Sequence, residues 1–253
     1  MSEEPTAADL RQWRRDLHQI PETDFDLPET LAYIEHELEG VRDALVARGQ
    51  KAEILHPCRS TVCLFLDRGS EHTTALRSDM DALPVTETTG VPFASTHPHK
   101  MHACGHDGHM AMLLGLAHHL VACADALPRS VLLVFQPAEE TTGGARIVCE
   151  SNIFRKVHAD RIFGFHLWPD LPKGTLASKP GPLLAGSHET DVTFLGKASH
   201  IAKADHGADA RAAACRFQRA AADLHEERSE VEPCILKFGR MEAGSVRNQI
   251  ADT

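Results

Sequence analysis

The segment His102-Ala103-Cys104-Gly105-His106-Asp107-Gly108-His109 places three histidines, a cysteine and an aspartate within eight positions. A thiolate and an imidazole two residues apart cannot share one face of a helix, because two steps turn an α-helix by about 200°. On a looped or extended backbone residues i and i+2 point the same way, so Cys104 and His106 can grip one cation from one side. Gly105 between them leaves the chain free to turn. Further along, Glu139-Glu140 and His166 supply carboxylates and another imidazole. Thiolate, imidazole and carboxylate together suit Zn²⁺, Mn²⁺ or a related divalent ion. Any single one of the 17 histidines is more often structural or solvated than a ligand; the clustering at successive strand ends is what favours a metal.

On an extended chain adjacent glutamates point apart, so one can bind metal while the other faces water. A cation beside a free carboxylate is equipment for hydrolysis: the ion acidifies water and polarises a carbonyl, and the carboxylate carries the proton to the leaving amine. The bland alternative is a pair of solvated loop acids. Other chemistries lack support. Gly196-Lys197-Ala198-Ser199 is no phosphate loop, since that pattern needs glycine where Asp191 stands. Gly143-Gly144 lacks a dinucleotide fingerprint, and Ser187 and Ser199 have no GxSxG context.

These groups need positioning elements. Residues 6–20 carry an amphipathic pattern (Leu10, Trp13, Leu17), and 28–48 a second (Leu31, Ile34, Leu38, Val41, Leu45), both predicting helices over a sheet. Strand-like runs cover 61–66 and 73–77, the latter leading into Asp79-Met80-Asp81. A largely apolar stretch over 110–124 predicts a buried helix, with Asp107 at its expected N-cap. The continuous apolar run 130–135 reads as a strand covered on both faces, and 161–165 as another ending at His166. Strand alternating with helix predicts an α/β domain with a mostly parallel sheet and its site on loops at one edge.

Pro180, Gly181, Pro182 and Gly186 mark a change of texture. Beyond it come an alternating segment at 188–195, read as a half-buried strand, a helix over 209–224, and a strand over 234–238. Residues 1–186 are therefore expected to form one domain and 187–253 a smaller α+β one. With 253 residues and 42% hydrophobic content the chain can bury a large core. A net charge of -10 without a basic run argues against nucleic acid and anionic membrane surfaces. No apolar run approaches the ~20 residues of a bilayer span. Seven scattered cysteines and an acidic, polar start predict a cytoplasmic protein with reduced thiols.

Four motifs, Arg77-Ser78-Asp79-Met80-Asp81-Ala82-Leu83-Pro84, Met101 through His109, Phe135-Gln136-Pro137-Ala138-Glu139-Glu140 and Gly164-Phe165-His166-Leu167-Trp168-Pro169, resemble the M20 metallopeptidase family. They look most like its amidohydrolase branch of hippurate hydrolases, indole-acetyl amino acid hydrolases and N-acyl amino acid deacylases. The resemblance implies a metal-dependent amidohydrolase that cleaves the amide of N-acyl amino acids or related conjugates. It implies two divalent ions (Mn²⁺ or Zn²⁺) in the catalytic domain, and an inserted lid domain through which two copies pair as a homodimer. By motif, Cys104, His106, Glu140 and His166 would be metal ligands, with Cys104 bridging, and Glu139 the general base. His200 and Asn248 in the lid would contact substrate. The segment 199–205 departs from the family pattern, lacking its Gly after the His and its later Pro-His. A final metal-binding histidine of the family falls outside this sequence, so both domains are expected to be incomplete. A non-catalytic remnant that keeps a lid pairing surface is the second expectation.

Overall fold

The computed structural model describes residues 4–141, 143–231 and 233–253. They divide into two compact units, one running to Pro172 and one from Lys173 to Thr253.

The first unit opens with α1 (Ala7–Gln19) and α2 (Pro28–Ala47), followed by β1 (Lys51–Leu55), β2 (Val62–Asp67) and β3 (Thr73–Asp79). A long loop leads to α3 (His106–Cys123), then β4 (Ser130–Gln136), the short helices α4 (Gly144–Glu150) and α5 (Ile153–Lys156), and β5 (Ala159–Gly164). Thr6 starts α1 by accepting from Ala8 N and Asp9 N, while the Asp9 carboxylate accepts from Thr6 N, a reciprocal capping box. Pro28 opens α2, where a missing N–H costs nothing.

The strands form one sheet in the order β1-β2-β4-β3-β5. The β4-β3 and β3-β5 pairs are parallel, as the alternation of strands and helices predicts, but β1-β2 and β2-β4 are antiparallel, so the sheet is mixed. Along β4, Val131, Leu133 and Phe135 join a core under the three long helices with Leu17, Leu38, Met110 and Leu114. Leu132 and Val134 face the opposite cluster with Val148 and Ile153. This is why the run reads as continuously apolar: each face is covered, and each fully buried Leu or Phe contributes roughly 1.5–3 kcal/mol. The parallel strands β3, β4 and β5 end together: Asp79 is the last residue of β3, and Glu139-Glu140 and His166 lie on the loops after β4 and β5.

Two expectations are corrected here. The helix following the histidine-rich segment begins at His106, and its N-cap is Gly105 at φ 88°, not Asp107. A residue in the left-handed region is cheap only as glycine, and this turn lets Cys104 stay outside the helix that His106 opens.

The second unit contains α6 (Ala210–Arg228), capped by the Asp209 side chain accepting from Ala212 N, and a 3₁₀ turn over Ile201–His206. The strands expected over 188–195 and 234–238 do not form among the described residues. Val192 and Leu195 are exposed, and only isolated bridges occur, Lys197 with Ala208 and His200 with Gln249. Alternation marks a segment able to pair; without a neighbouring strand it has nothing to pair with. Among the described residues no helix is long and apolar enough to cross a membrane, and the cysteines are free thiols.

Candidate functional site

Cys104, His106, Glu139, Glu140 and His166 converge where β3, β4 and β5 end. A donor atom each from Cys104, His106 and His166 lies within 4.8 Å of the other two, and the same holds for His106, Glu139 and Glu140. Cys104 Sγ is 3.5 Å from His166 Nε2. His106 Nε2 is 3.7 Å from Glu140 Oε1 and 3.9 Å from Glu139 Oε2.

The tautomers follow from the partners. His106 Nδ1 lies 2.7 Å from the carbonyl oxygen of Asp81, which can only accept, so the proton is on Nδ1 and Nε2 keeps a lone pair. His166 Nδ1 likewise donates to the carbonyl of Leu167 at 2.7 Å, leaving its Nε2 toward the thiol. Both imidazoles thus present the same nitrogen to the same place. His106 Nε2 and Glu140 Oε1 are buried with no hydrogen-bond partner among the described residues. Native proteins rarely leave such atoms orphaned, and a divalent cation is the group that thiolate, two imidazole lone pairs and a carboxylate fit.

Asp81, fully buried, organises the glutamates. Its Oδ1 accepts from Glu139 N at 2.8 Å and its Oδ2 from Glu140 N at 3.0 Å, while its carbonyl holds His106. The glutamates therefore sit on a turn after Ala138 (φ 51°), not on an extended chain, and their carboxylates come to the same histidine instead of pointing apart. Nor are they solvated loop acids alike: the Glu140 side chain is 20% exposed and that of Glu139 43%. Burial and the neighbouring Glu140 charge raise the Glu139 carboxyl above its ordinary value. Burial, a hydrogen bond to Glu140 and the charges of Glu140, Glu139 and Asp79 push the Cys104 thiol up to about 12. Surroundings this negative disfavour a lone thiolate, and a bound cation is the charge that reverses the balance.

Gly144 closes the glutamate turn: its N–H donates to Ala138 O at 2.9 Å, and a Cβ there would come within 1.8 Å of the Pro137 carbonyl. Behind the site, Asp79 accepts from His109 Nδ1 on Oδ1 and from Arg77 Nη1 on Oδ2, both at 2.7 Å. Burial works to raise the Asp79 carboxyl, but the His109 bond and the charges of His106 and Arg77 hold it down to about 2.

Asp107 ties α3 to α1 instead of capping a helix. Its Oδ2 meets His18 Nδ1 at 2.8 Å and Arg14 Nε at 2.7 Å, and His18 Nε2 reaches Glu87 at 3.3 Å. His102 is buried with neither ring nitrogen partnered among the described residues, and burial pushes it down to about 4. In the second unit, His200 and Asn248 are neighbours: Ile201 N donates to the Asn248 carbonyl at 3.0 Å, His200 bridges to Gln249, and both side chains are exposed. The sequence places Asp81 at a strand end and His109 beside the proposed ligands without indicating their partners, and it does not single out His18. The signal for Asp81 was present in the second acid after a strand; His18 lies 89 residues from its partner Asp107 and left none.

Residues 75–248 match the family described as Peptidase family M20/M25/M40. The chain is 36% identical over 241 residues to an N-acetyldiaminopimelate deacetylase of Listeria monocytogenes, a match covering 95% of this chain and 63% of that protein. Among solved structures, an aminohydrolase described as putative from methicillin-resistant Staphylococcus aureus superposes with a TM-score of 0.74 at 28% identity, covering 97% of this chain and 64% of that one. The Bacillus subtilis YXEP protein, described as a dinuclear metal binding peptidase from the M20 family, gives 0.68 at 31% identity, covering 97% and 61%. The chain thus spans under two thirds of the length of the proteins it matches.

Proposed function

The chain belongs to peptidase family M20/M25/M40, a family of metal-dependent hydrolases, and from that premise we propose that it hydrolyses the amide bond of N-acyl amino acids or related conjugates. The observation that carries this reading is the pair of orphaned, inward-facing donors, His106 Nε2 and Glu140 Oε1, beside the Cys104–His166 contact. In this reading Cys104, His106, Glu140 and His166 would hold two divalent ions, Mn²⁺ or Zn²⁺. Such ions supply Lewis acidity, making a water nucleophilic at neutral pH and polarising the amide carbonyl.

The protein's own residues do the rest. Glu139, the more exposed glutamate, its carboxyl raised by burial and by the Glu140 charge, takes the proton of the attacking water and delivers it to the departing amine. Asp81 fixes the backbone from which that carboxylate projects. His200 and Asn248, adjacent in the second unit, contact the substrate. Residues 187–253 serve as a lid, and α6 offers the exposed Phe217 and Leu224 for pairing with a second copy. The free thiols fit a reducing, cytoplasmic setting.

The test is an assay of N-acetyl and other N-acyl amino acids with added Mn²⁺ or Zn²⁺, wild type against Glu139→Gln and His106→Ala. Metal-dependent release of free amine by the wild type, lost in both variants, supports the reading. Equal turnover in E139Q and wild type would sink it.

A further inference from the structure

Resting on the reading of Cys104, His106 and His166 as metal-binding residues, we propose that His109 is a positioning residue that sets the separation between His106 and His166. His109 is buried, with Nδ1 2.7 Å from Asp79 Oδ1 and Nε2 2.9 Å from the backbone nitrogen of Leu167. A backbone N–H can only donate, so Nε2 is the acceptor and the ring proton sits on Nδ1, where it is donated to Asp79. A donor atom of His109 lies within 4.8 Å of ones from Asp79 and His106, a spacing suited to an ion. Yet both its nitrogens are occupied, and the oxygens of Asp79 are taken by His109 and Arg77. That trio joins elements instead of binding a cation.

The elements it joins are those that carry the site. Asp79 ends β3, His109 lies in the first turn of α3 three residues after His106, and Leu167 follows His166 on the loop after β5. The His109 ring stands 5.3 Å from that of His106 and 4.7 Å from that of His166, centroid to centroid. The Leu167 side chain seats over Gly108, where an added Cβ would come within 2.7 Å of its Cδ1, so the same loop is docked on α3 at a second point. Without the acceptor at position 109, the Leu167 N–H loses its partner and His166 loses its fixed distance from His106. Groups that orient ligands in this way typically alter metal affinity by 10–100-fold when removed.

Substitutions separate the two bonds. His109→Gln places an amide oxygen near the site of Nε2 and keeps the acceptor for Leu167 N; His109→Asn keeps a donor for Asp79 and drops that acceptor; His109→Leu drops both. Each chain is titrated with Co²⁺ alone, following affinity and the visible absorption that reports cobalt geometry, and metal-free melting temperatures are compared. H109Q is expected to keep the wild-type affinity and spectrum, while H109N and H109L lose about 10–100-fold in affinity and shift the spectrum. Should H109N not fold, H109Q against H109L carries the contrast. Wild-type behaviour of all three variants, or loss in H109Q equal to that in H109L, overturns the proposal. A wild-type chain that binds no Co²⁺ overturns the underlying site reading itself.

Discussion

His106 Nε2 and Glu140 Oε1 lie 3.7 Å apart, buried, each without a hydrogen-bond partner among the described residues. Each orphaned atom costs about 1–3 kcal/mol of unmet hydrogen bonding, and a bound cation would satisfy both. Metal binding to the folded chain should therefore stabilise it, by about 2.7 kcal/mol at a hundredfold excess over Kd. Melting the protein in chelator and in Zn²⁺ checks this: the melting temperature is expected to rise with Zn²⁺ in the wild type and not in His106→Ala.

Glu139 is the group assigned to move the proton, and its carboxylate does not hold the fold together. Glu139→Gln is expected to lower kcat by about 10²–10⁴-fold with metal content unchanged. Steady-state assay combined with elemental analysis of the purified variant decides between this and a ligand role, in which metal would be lost along with activity.

Gly144 allows α4 to start against the Pro137 carbonyl, 1.8 Å from where a Cβ would stand. A backbone carbonyl cannot swing aside as a side chain can. Gly144→Ala should cost about 1–3 kcal/mol or more and displace the turn that carries Glu139 and Glu140. Urea unfolding and Zn²⁺ affinity measured together should both fall; an unchanged midpoint contradicts the close approach.

The clasp between α1 and α3 gives a pH signature. The hydrogen bond to Asp107 raises His18 against the opposing effect of burial, with the Asp107 charge and Glu87 assisting. The fold therefore favours protonated His18. Its stabilisation is complete below the ordinary value of 6.5 and is lost as pH rises through the higher folded value. Buried His102, held neutral down to about 4, acts in the opposite sense as pH falls below 6.5. The difference in melting temperature between wild type and His18→Gln isolates the His18 contribution; it is expected to be largest on the acidic side of 6.5 and to shrink at alkaline pH.

The candidate site was legible in the sequence wherever chemistry is local. Cys104 and His106 declare themselves by spacing, Glu139-Glu140 and His166 by falling just after apolar strand-like runs. What the sequence hid depends on partners far along the chain. Asp107 reads as an N-cap because nothing nearby announces His18 and Arg14. The glutamates read as diverging because an extended backbone is the default, until Asp81 gathers both N–H groups into a turn. Likewise β1, five residues of Lys-Ala-Glu-Ile-Leu soon after a helix, is too short for its periodicity to tell strand from helix, and its antiparallel pairing makes the sheet mixed. The alternation at 188–195 has the strand period but no neighbour to pair with among the described residues.

The central claim is that Cys104 joins His106, Glu140 and His166 in binding a divalent ion as a thiolate. The direct measurement is the near-ultraviolet absorption of the chain titrated with Co²⁺, wild type against Cys104→Ser. An intense sulfur-to-cobalt charge-transfer band that saturates in the wild type and disappears in C104S is the predicted result. A bound Co²⁺ without that band, or a band that persists in C104S, contradicts the account.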